Sequence, residues 1–190
     1  LLRAQNSSTI KRVFAPKVAG AWALQQAAAT SPLDTCVLFS SIAALIGGGG
    51  QSNYAAANGM LDSLGACRRT RAMNATSVEW GPWAAVGMAA DESINARIQA
   101  SGIGLISLEQ GTLAFQATLQ PAVSGVMSLV VLTWSKFLSL LPEVPPLMAN
   151  YASRKGAVAA GGPQGEVKEI TLEMIQETLK STTGSEVDPD

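Results

Sequence analysis

Three short apolar runs are the first regular feature along the chain, and they predict β-strands. They are rich in β-branched and aromatic residues and fall at 35–41, 75–79 and 128–134. The first run has the length and boundaries of a strand that is buried on both faces, as in a parallel sheet.

Apolar positions at helical spacing separate these runs and predict helices. We expect one helix within residues 13–30 that begins near Pro16, because proline suits a first helical turn. The other predicted helices are 54–71, 91–101, 107–119 with Ser107 and Gln110 as its capping box, and a short one that ends at Pro142. Strands that alternate with helices favour an α/β fold with a mostly parallel sheet.

Two stretches do not fit this alternation. Residues 42–53 contain Gly47–Gly50 and predict a glycine-rich loop. Residues 142–166 are rich in proline, glycine and alanine, which predicts a linker. An amphipathic helix is predicted at 167–182 and is too short to be a domain, so we expect the chain to stop inside one.

The composition argues against several classes of function. Hydrophobic residues make up 47% of the chain, the formal net charge is −1, and no apolar run approaches the roughly 20 residues of a membrane span. We therefore expect neither nucleic acid nor membrane as a partner. The chain has no histidine, which excludes a histidine-based triad and leaves few metal ligands, so we expect no metal site. Cys36 and Cys67 predict buried free thiols in a reducing compartment.

Four polar residues stand where a parallel sheet usually carries its chemistry. Ser41 closes the first predicted strand, Tyr54 opens the next helix, and Asn58 follows one helical turn later. Lys17 lies on the helix before that strand. Taken singly, the serine is typical of a turn, the tyrosine of helix packing and the lysine of a solvated surface.

Around these residues, the chain resembles the ketoreductase domain of modular polyketide synthases, a branch of the short-chain dehydrogenase/reductase superfamily. The matching motifs are APKVAGAW, LDTCVLFSSIAALIGGGGQSNYAAAN, MLDSLGACRR and ATSVEWGPWAAVGM. The resemblance implies a Rossmann-like parallel sheet with flanking helices, of which this chain holds the C-terminal portion. It places the catalytic set on Lys17, Ser41, Tyr54 and Asn58.

The chemistry of a ketone reduction suits this set. A tyrosine hydroxyl can supply the proton that the product oxygen needs, although free tyrosine titrates near pH ~10. A nearby cation such as Lys17 lowers that value. Ser41 would donate a hydrogen bond to the substrate carbonyl, and Asn58 would hold the lysine, a water or the cofactor ribose. The resemblance implies NADPH as the hydride donor.

The loop after the second predicted strand is WGPW, and in the family it lies against the nicotinamide. We therefore assign Pro82 and Trp83 to cofactor binding, together with Tyr54, Asn58 and Lys17. Trp80 fits core packing as well as contact, and Glu79 fits a local ion pair better than catalysis.

The glycine run Gly47–Gly50 does not have the G-x-G-x-x-G spacing that binds a dinucleotide phosphate. In the family, the phosphate-binding glycines belong to an earlier strand–turn–helix unit. That unit is absent from these 190 residues, and the first residue is Leu1 without a signal peptide, so we interpret the chain as a fragment.

The end of the chain, EITLEMIQETLKSTTGSEVDPD, resembles the first helix and loop of an all-α acyl carrier domain. The predicted organisation is 1–141 as the catalytic part of a ketoreductase domain, 142–166 as the linker and 167–190 as the truncated carrier domain.

The function that follows is NADPH-dependent reduction of a β-ketoacyl chain held on a phosphopantetheinylated carrier domain, next to other domains of a megasynthase. The same step in a multidomain fatty acid synthase and a non-catalytic structural fragment are the alternatives. The cytoplasm is the expected location, or an organelle if a transit peptide precedes the chain. Ketoreductases of one handedness carry tryptophan eight residues before the tyrosine. Ile46 stands there, which favours a D-configured hydroxyl.

Overall fold

A computed structural model describes residues 2–31, 33–84, 92–120 and 123–152. Its helices are α1 (Ser7–Phe14), α2 (Gly20–Ala27), α3 (Ala43–Ile46), α4 (Ser52–Thr70), α5 (Glu92–Ala100), α6 (Leu108–Thr118) and α7 (Trp134–Ser139). The strands are β1 (Val37–Ser41), β2 (Thr76–Trp80) and β3 (Val126–Leu129). The chain divides into two compact units, one of Leu1–Gly81 with Ala114–Val130 and one of Pro82–Leu113 with Val131–Asp190.

The first unit is built on a parallel sheet in the order β1-β2-β3, with α4 packed against all three strands. This confirms the predicted parallel α/β architecture. Every residue of the central strand β2 is buried. The strand β1 is an edge strand among the described residues, and Phe39 on it is 50% exposed. The expectation that this strand is buried on both faces was therefore wrong.

The third strand is shorter than predicted and begins earlier, at Val126. It ends at Leu129 because the next residues pair elsewhere, in the second unit. There the carbonyl of Val131 accepts a hydrogen bond of 2.7 Å from the Gly104 N–H, and Leu132 forms a bridge with Ile103.

The first helical stretch begins well before Pro16, contrary to the sequence prediction. Asn6 caps α1 through a capping box with Thr9, in which each side chain accepts from the other residue's backbone N–H at 2.9 Å. Pro16 lies inside a π-helix, Ala15–Ala19, that joins α1 to α2. Proline has no N–H for the carbonyl of Arg12, and the wider turn accommodates that missing bond.

Two further local predictions were correct only in part. The predicted loop at 42–53 contains the short helix α3, which ends at Gly47 with a φ of 74°, a left-handed conformation that suits glycine. Cys67 is exposed, contrary to expectation, because it lies on the outer side of α4, whereas Cys36 is half-buried.

The second unit confirms the predicted capping box of α6. The Ser107 N–H donates to Gln110 Oε1 at 2.9 Å, and the Gln110 N–H donates to Ser107 Oγ at 3.1 Å. Within the predicted linker, Pro146–Tyr151 form a 3-10 helix. Tyr151 stacks on Trp134 with a centroid distance of 3.9 Å. The predicted carrier segment 167–190 lies outside the described residues.

The two glycines of α4, Gly59 and Gly65, differ in how closely other atoms approach them. A Cβ at Gly65 would lie 2.7 Å from the Gly125 carbonyl oxygen and 3.1 Å from the Ser77 nitrogen, and both are backbone atoms. We expect Gly65→Ala to lower the free energy of unfolding by about 1–3 kcal/mol through overpacking. Urea denaturation of the intact protein measures the change.

Gly59→Ala is the matched control in the same helix, because nothing lies within 4 Å of its Cβ position. Alanine there should stabilise the helix by about 0.5–1 kcal/mol. Equal effects of the two substitutions would contradict a close contact at Gly65.

Candidate active site

Lys17 reaches the edge of the sheet from the π-helix. Its Nζ donates to the backbone carbonyl of Phe39 at 2.7 Å. Cys36 and Ile42 hydrogen-bond to the β2 side, so by the alternation of the strand the Phe39 carbonyl faces the open edge of β1. The lysine thus occupies a backbone acceptor that none of the three described strands uses.

Tyr54 lies in the first turn of α4 next to this lysine. The Nζ of Lys17 is 5.8 Å from the centroid of the Tyr54 ring. The structure therefore brings together two of the predicted site residues, Lys17 and Tyr54.

Asn58 joins the tyrosine to the strand. Its Nδ2 donates to the Tyr54 carbonyl at 2.8 Å, and its own backbone carbonyl accepts from Ser40 Oγ at 3.3 Å. The side chain is fully buried, and its Oδ1 has no hydrogen-bond partner among the described residues. A buried amide oxygen without a partner is costly, so a bound water or a ligand group is needed to donate to it.

Ser41 ends β1, two residues after the carbonyl that Lys17 binds. Its Oγ accepts a hydrogen bond of 3.2 Å from the Ala43 N–H. A hydroxyl that accepts one bond still has its own O–H to donate. Ser41 thus combines the local turn contact that its sequence position suggests with an O–H that can donate to a second group.

The charge state of Lys17 depends on its surroundings. Burial lowers the pKa of Lys17, since desolvation disfavours the ammonium, and the Asp62 carboxylate acts in the opposite direction. Asp62 was not among the residues singled out from the sequence. It stands eight residues after Tyr54 and four after Asn58, so the three share one stripe of α4, and this spacing was the available signal.

Among the described residues, Glu79 does not form the ion pair expected from the sequence. Its carboxyl accepts a hydrogen bond from Ser128 Oγ on β3. Burial raises the pKa of Glu79, the Ser128 bond opposes the rise, and Asp62 adds to it. Ser77 completes the cluster by donating to Asp62 Oδ1 at 2.7 Å.

The remaining two predicted site residues belong to the second unit. The Ile106 N–H donates to the Pro82 carbonyl at 2.8 Å. The Trp83 ring covers Gly111 so closely that a Cβ there would lie 2.1 Å from ring carbon Cη2. Both residues thus have packing roles within their own unit, and their assignment to cofactor binding stays a prediction.

Trp80 is 5% exposed and contacts the Phe39 ring with a centroid distance of 5.5 Å, which is core packing.

In the described part of the chain, no helix is long and apolar enough to cross a membrane. The same residues contain no group of three or more cysteine, aspartate or glutamate side chains placed to hold a metal ion.

Residues 1–85 match the family model of the KR domain. The chain is 43% identical over 129 residues to a phenolphthiocerol/phthiocerol polyketide synthase protein from Mycobacterium tuberculosis, covering 67% of this chain and 6% of that protein. It is 34% identical to a 6-methylsalicylic acid synthase from Aspergillus terreus, covering 89% of this chain and 9% of that one. It therefore spans less than a tenth of these relatives.

Solved structures share the fold. An A-type ketoreductase from a modular polyketide synthase aligns with a TM-score of 0.65 at 35% identity, over 68% of this chain and 27% of its own. A ketoreductase from the first module of phoslactomycin biosynthesis in Streptomyces aligns with a TM-score of 0.70 at 32% identity, over 79% and 35%. Both likenesses support the Rossmann-like parallel sheet.

The raised pKa of Glu79 predicts a pH dependence of stability. Between the ordinary pKa of a glutamate, about 4.3, and its raised value, the folded state holds a proton that the unfolded state has lost. The stability contributed by protonated Glu79 is therefore complete below the ordinary pKa and is lost as the pH rises through the raised value. Glu79→Gln, which cannot ionise, should gain stability relative to wild type across this window.

Urea denaturation at mildly acidic and at neutral pH measures this difference. Asp34→Asn is the control, because Asp34 is exposed. A gap between Glu79→Gln and wild type that stays constant with pH would contradict the raised pKa.

Proposed function

On the premise that the chain carries part of a polyketide-synthase ketoreductase domain, which its relatives and its fold support, we propose that it reduces a β-ketoacyl thioester to the β-hydroxyacyl thioester. The observation that carries this proposal is the pairing of the Lys17 ammonium with the Tyr54 ring, next to Asn58. The substrate would be held on a carrier domain, and NADPH would be the reductant.

When bound, a nicotinamide cofactor would supply the hydride that the β-carbon of the ketone needs. The carbonyl π bond breaks, and the oxygen takes the proton of the Tyr54 hydroxyl to become an alcohol. Lys17 stabilises the phenolate that this transfer leaves, because its ammonium lies over the ring. The tyrosine therefore acts as the general acid and the lysine as its electrostatic support.

Ser41 and Asn58 have separate parts in this scheme. The Ser41 hydroxyl donates to the carbonyl oxygen as negative charge develops on it. The buried Oδ1 of Asn58 accepts a hydrogen bond from no described residue, so it can accept one from a water. That water returns a proton to Tyr54 after each reduction.

The residues present suit a nicotinamide nucleoside. The bond to Phe39 uses one of the three N–H donors of the Lys17 ammonium, so others can meet a ribose hydroxyl. Pro82 and Trp83 follow β2 in the chain after Gly81, and we propose that they contact the nicotinamide. Residues 167–190 would begin the carrier domain, and Ile46 favours a D-configured product.

Tyr54→Phe tests the general acid directly, because it removes one oxygen and keeps the ring. We expect its rate of β-ketoacyl thioester reduction with NADPH to fall about 10²–10⁴-fold, the usual contribution of a positioned proton donor. The intact protein that carries this chain is used, and cofactor oxidation is followed by its absorbance.

Tyr151→Phe is the matched control, since these are the only two tyrosines. It removes the same atom from an exposed ring that stacks on Trp134 in the second unit, and it should keep the wild-type rate. If wild-type protein binds NADPH but shows no turnover with β-ketoacyl thioesters, the domain is non-catalytic and the proposal is wrong.

A further inference from the structure

Ser40 places a buried hydroxyl on the face of β1 that packs against α4. It is 4% exposed, and strand alternation puts it on the same face as the apolar Leu38. An apolar side chain would serve packing at this position better, because a buried hydroxyl without a hydrogen-bond partner is costly. The hydroxyl of Ser40 therefore has to be explained by the contact that it makes.

That contact is with the backbone of α4. Ser40 Oγ donates to the carbonyl of Asn58 at 3.3 Å. In a regular α-helix such a carbonyl accepts the N–H of the residue four positions later, and its second lone pair remains for another donor. The Asn58 side chain in turn donates to the Tyr54 carbonyl at 2.8 Å. The Ser40 hydroxyl thus holds the helical turn that carries both Tyr54 and Asn58.

The two neighbours of Ser40 in β1 hold the other parts of the candidate site. The carbonyl of Phe39 accepts from Lys17 Nζ at 2.7 Å, and Ser41 carries the hydroxyl that we assign to the substrate carbonyl. Three consecutive residues, Phe39 to Ser41, therefore fix the lysine, the helical turn and this hydroxyl relative to one another. Ser40 is the member of this group that joins the strand to α4.

The other contacts that hold α4 on the sheet lie further along the helix. Ser77 on β2 donates to Asp62 Oδ1 at 2.7 Å, one turn after Asn58. The close contact at Gly65 fixes the height of the helix, but it is about 16 Å along the helix axis from Tyr54. A tilt of about 5° around Gly65 would displace Tyr54 by about 1.4 Å. A contact near the start of α4 is needed to prevent such a tilt.

We propose that Ser40 is a positioning residue, whose hydroxyl limits the tilt of α4 and so keeps Tyr54 and Asn58 over the carboxyl end of β1. It acts on the reaction only through α4. Its effect on the rate rests on the proposed function, whereas its effect on the position of the helix does not.

Kinetics of the intact protein test the effect on the rate. Ser40→Ala removes the hydroxyl, and we expect kcat for β-ketoacyl thioester reduction with NADPH to fall about 10-fold or more, because a misplacement of about 1 Å can cost 10²-fold. Ser40→Thr keeps the hydroxyl on a side chain that suits a strand, and it should recover kcat to within about threefold of wild type.

Thr118→Val is the matched control. It also removes a buried hydroxyl that donates to a helix carbonyl, that of Phe115 at 2.6 Å, but this helix is α6. Ser40→Ala and Thr118→Val should lose similar stability in urea denaturation, since each loses one buried hydrogen bond. Thr118→Val should nevertheless keep the wild-type kcat, because its lost bond does not hold α4.

Hydrogen–deuterium exchange tests the position of the helix without cofactor or substrate. In the intact protein, Ser40→Ala should raise the exchange rate of peptides that cover 52–62 by about 3- to 10-fold, the effect of one lost hydrogen bond. Peptides that cover 63–70 should change less, because the Gly65 contact is intact. Thr118→Val should leave both parts of α4 at the wild-type rate.

Unchanged exchange of the 52–62 peptides in Ser40→Ala, or an equal rise along all of α4, would overturn the proposal. So would a wild-type kcat in Ser40→Ala, an equally low kcat in Ser40→Thr, or an equal loss of kcat in Thr118→Val. If exchange changes as expected but wild type does not reduce β-ketoacyl thioesters, the proposed function fails and the positioning of α4 by Ser40 remains.

Discussion

The close contact between α4 and the parallel sheet is the constraint on which the rest of the first unit depends. At Gly65 the helix comes so near to β2 and to Gly125 that no side chain fits between them. This contact sets the height and rotation of the helix over the strands. Tyr54 and Asn58 stand on the same rigid element, two turns and one turn closer to its start than Asp62, so their positions over the carboxyl end of β1 follow from the same packing.

The features that could be predicted from the sequence are those with a local signal. The strands β1 and β2, the helix α4 and the Ser107 capping box depend on periodicity, boundary residues and short spacings. The Tyr54–Asn58 pair is one helical turn, and it follows once α4 is recognised. The early start of α1 was missed although Asn6 carries a capping signal, because Pro16 offered a competing and familiar helix start.

What could not be predicted depends on partners far apart in sequence. Phe39 has the apolar character of a core strand, and only the strand order shows that β1 is at the edge of the described sheet. Glu79 was assigned to a local ion pair, but it is 5% exposed and accepts from Ser128, which is 49 residues away. The contact of Ser77 with Asp62 depends on how α4 lies over β2, which no local pattern specifies.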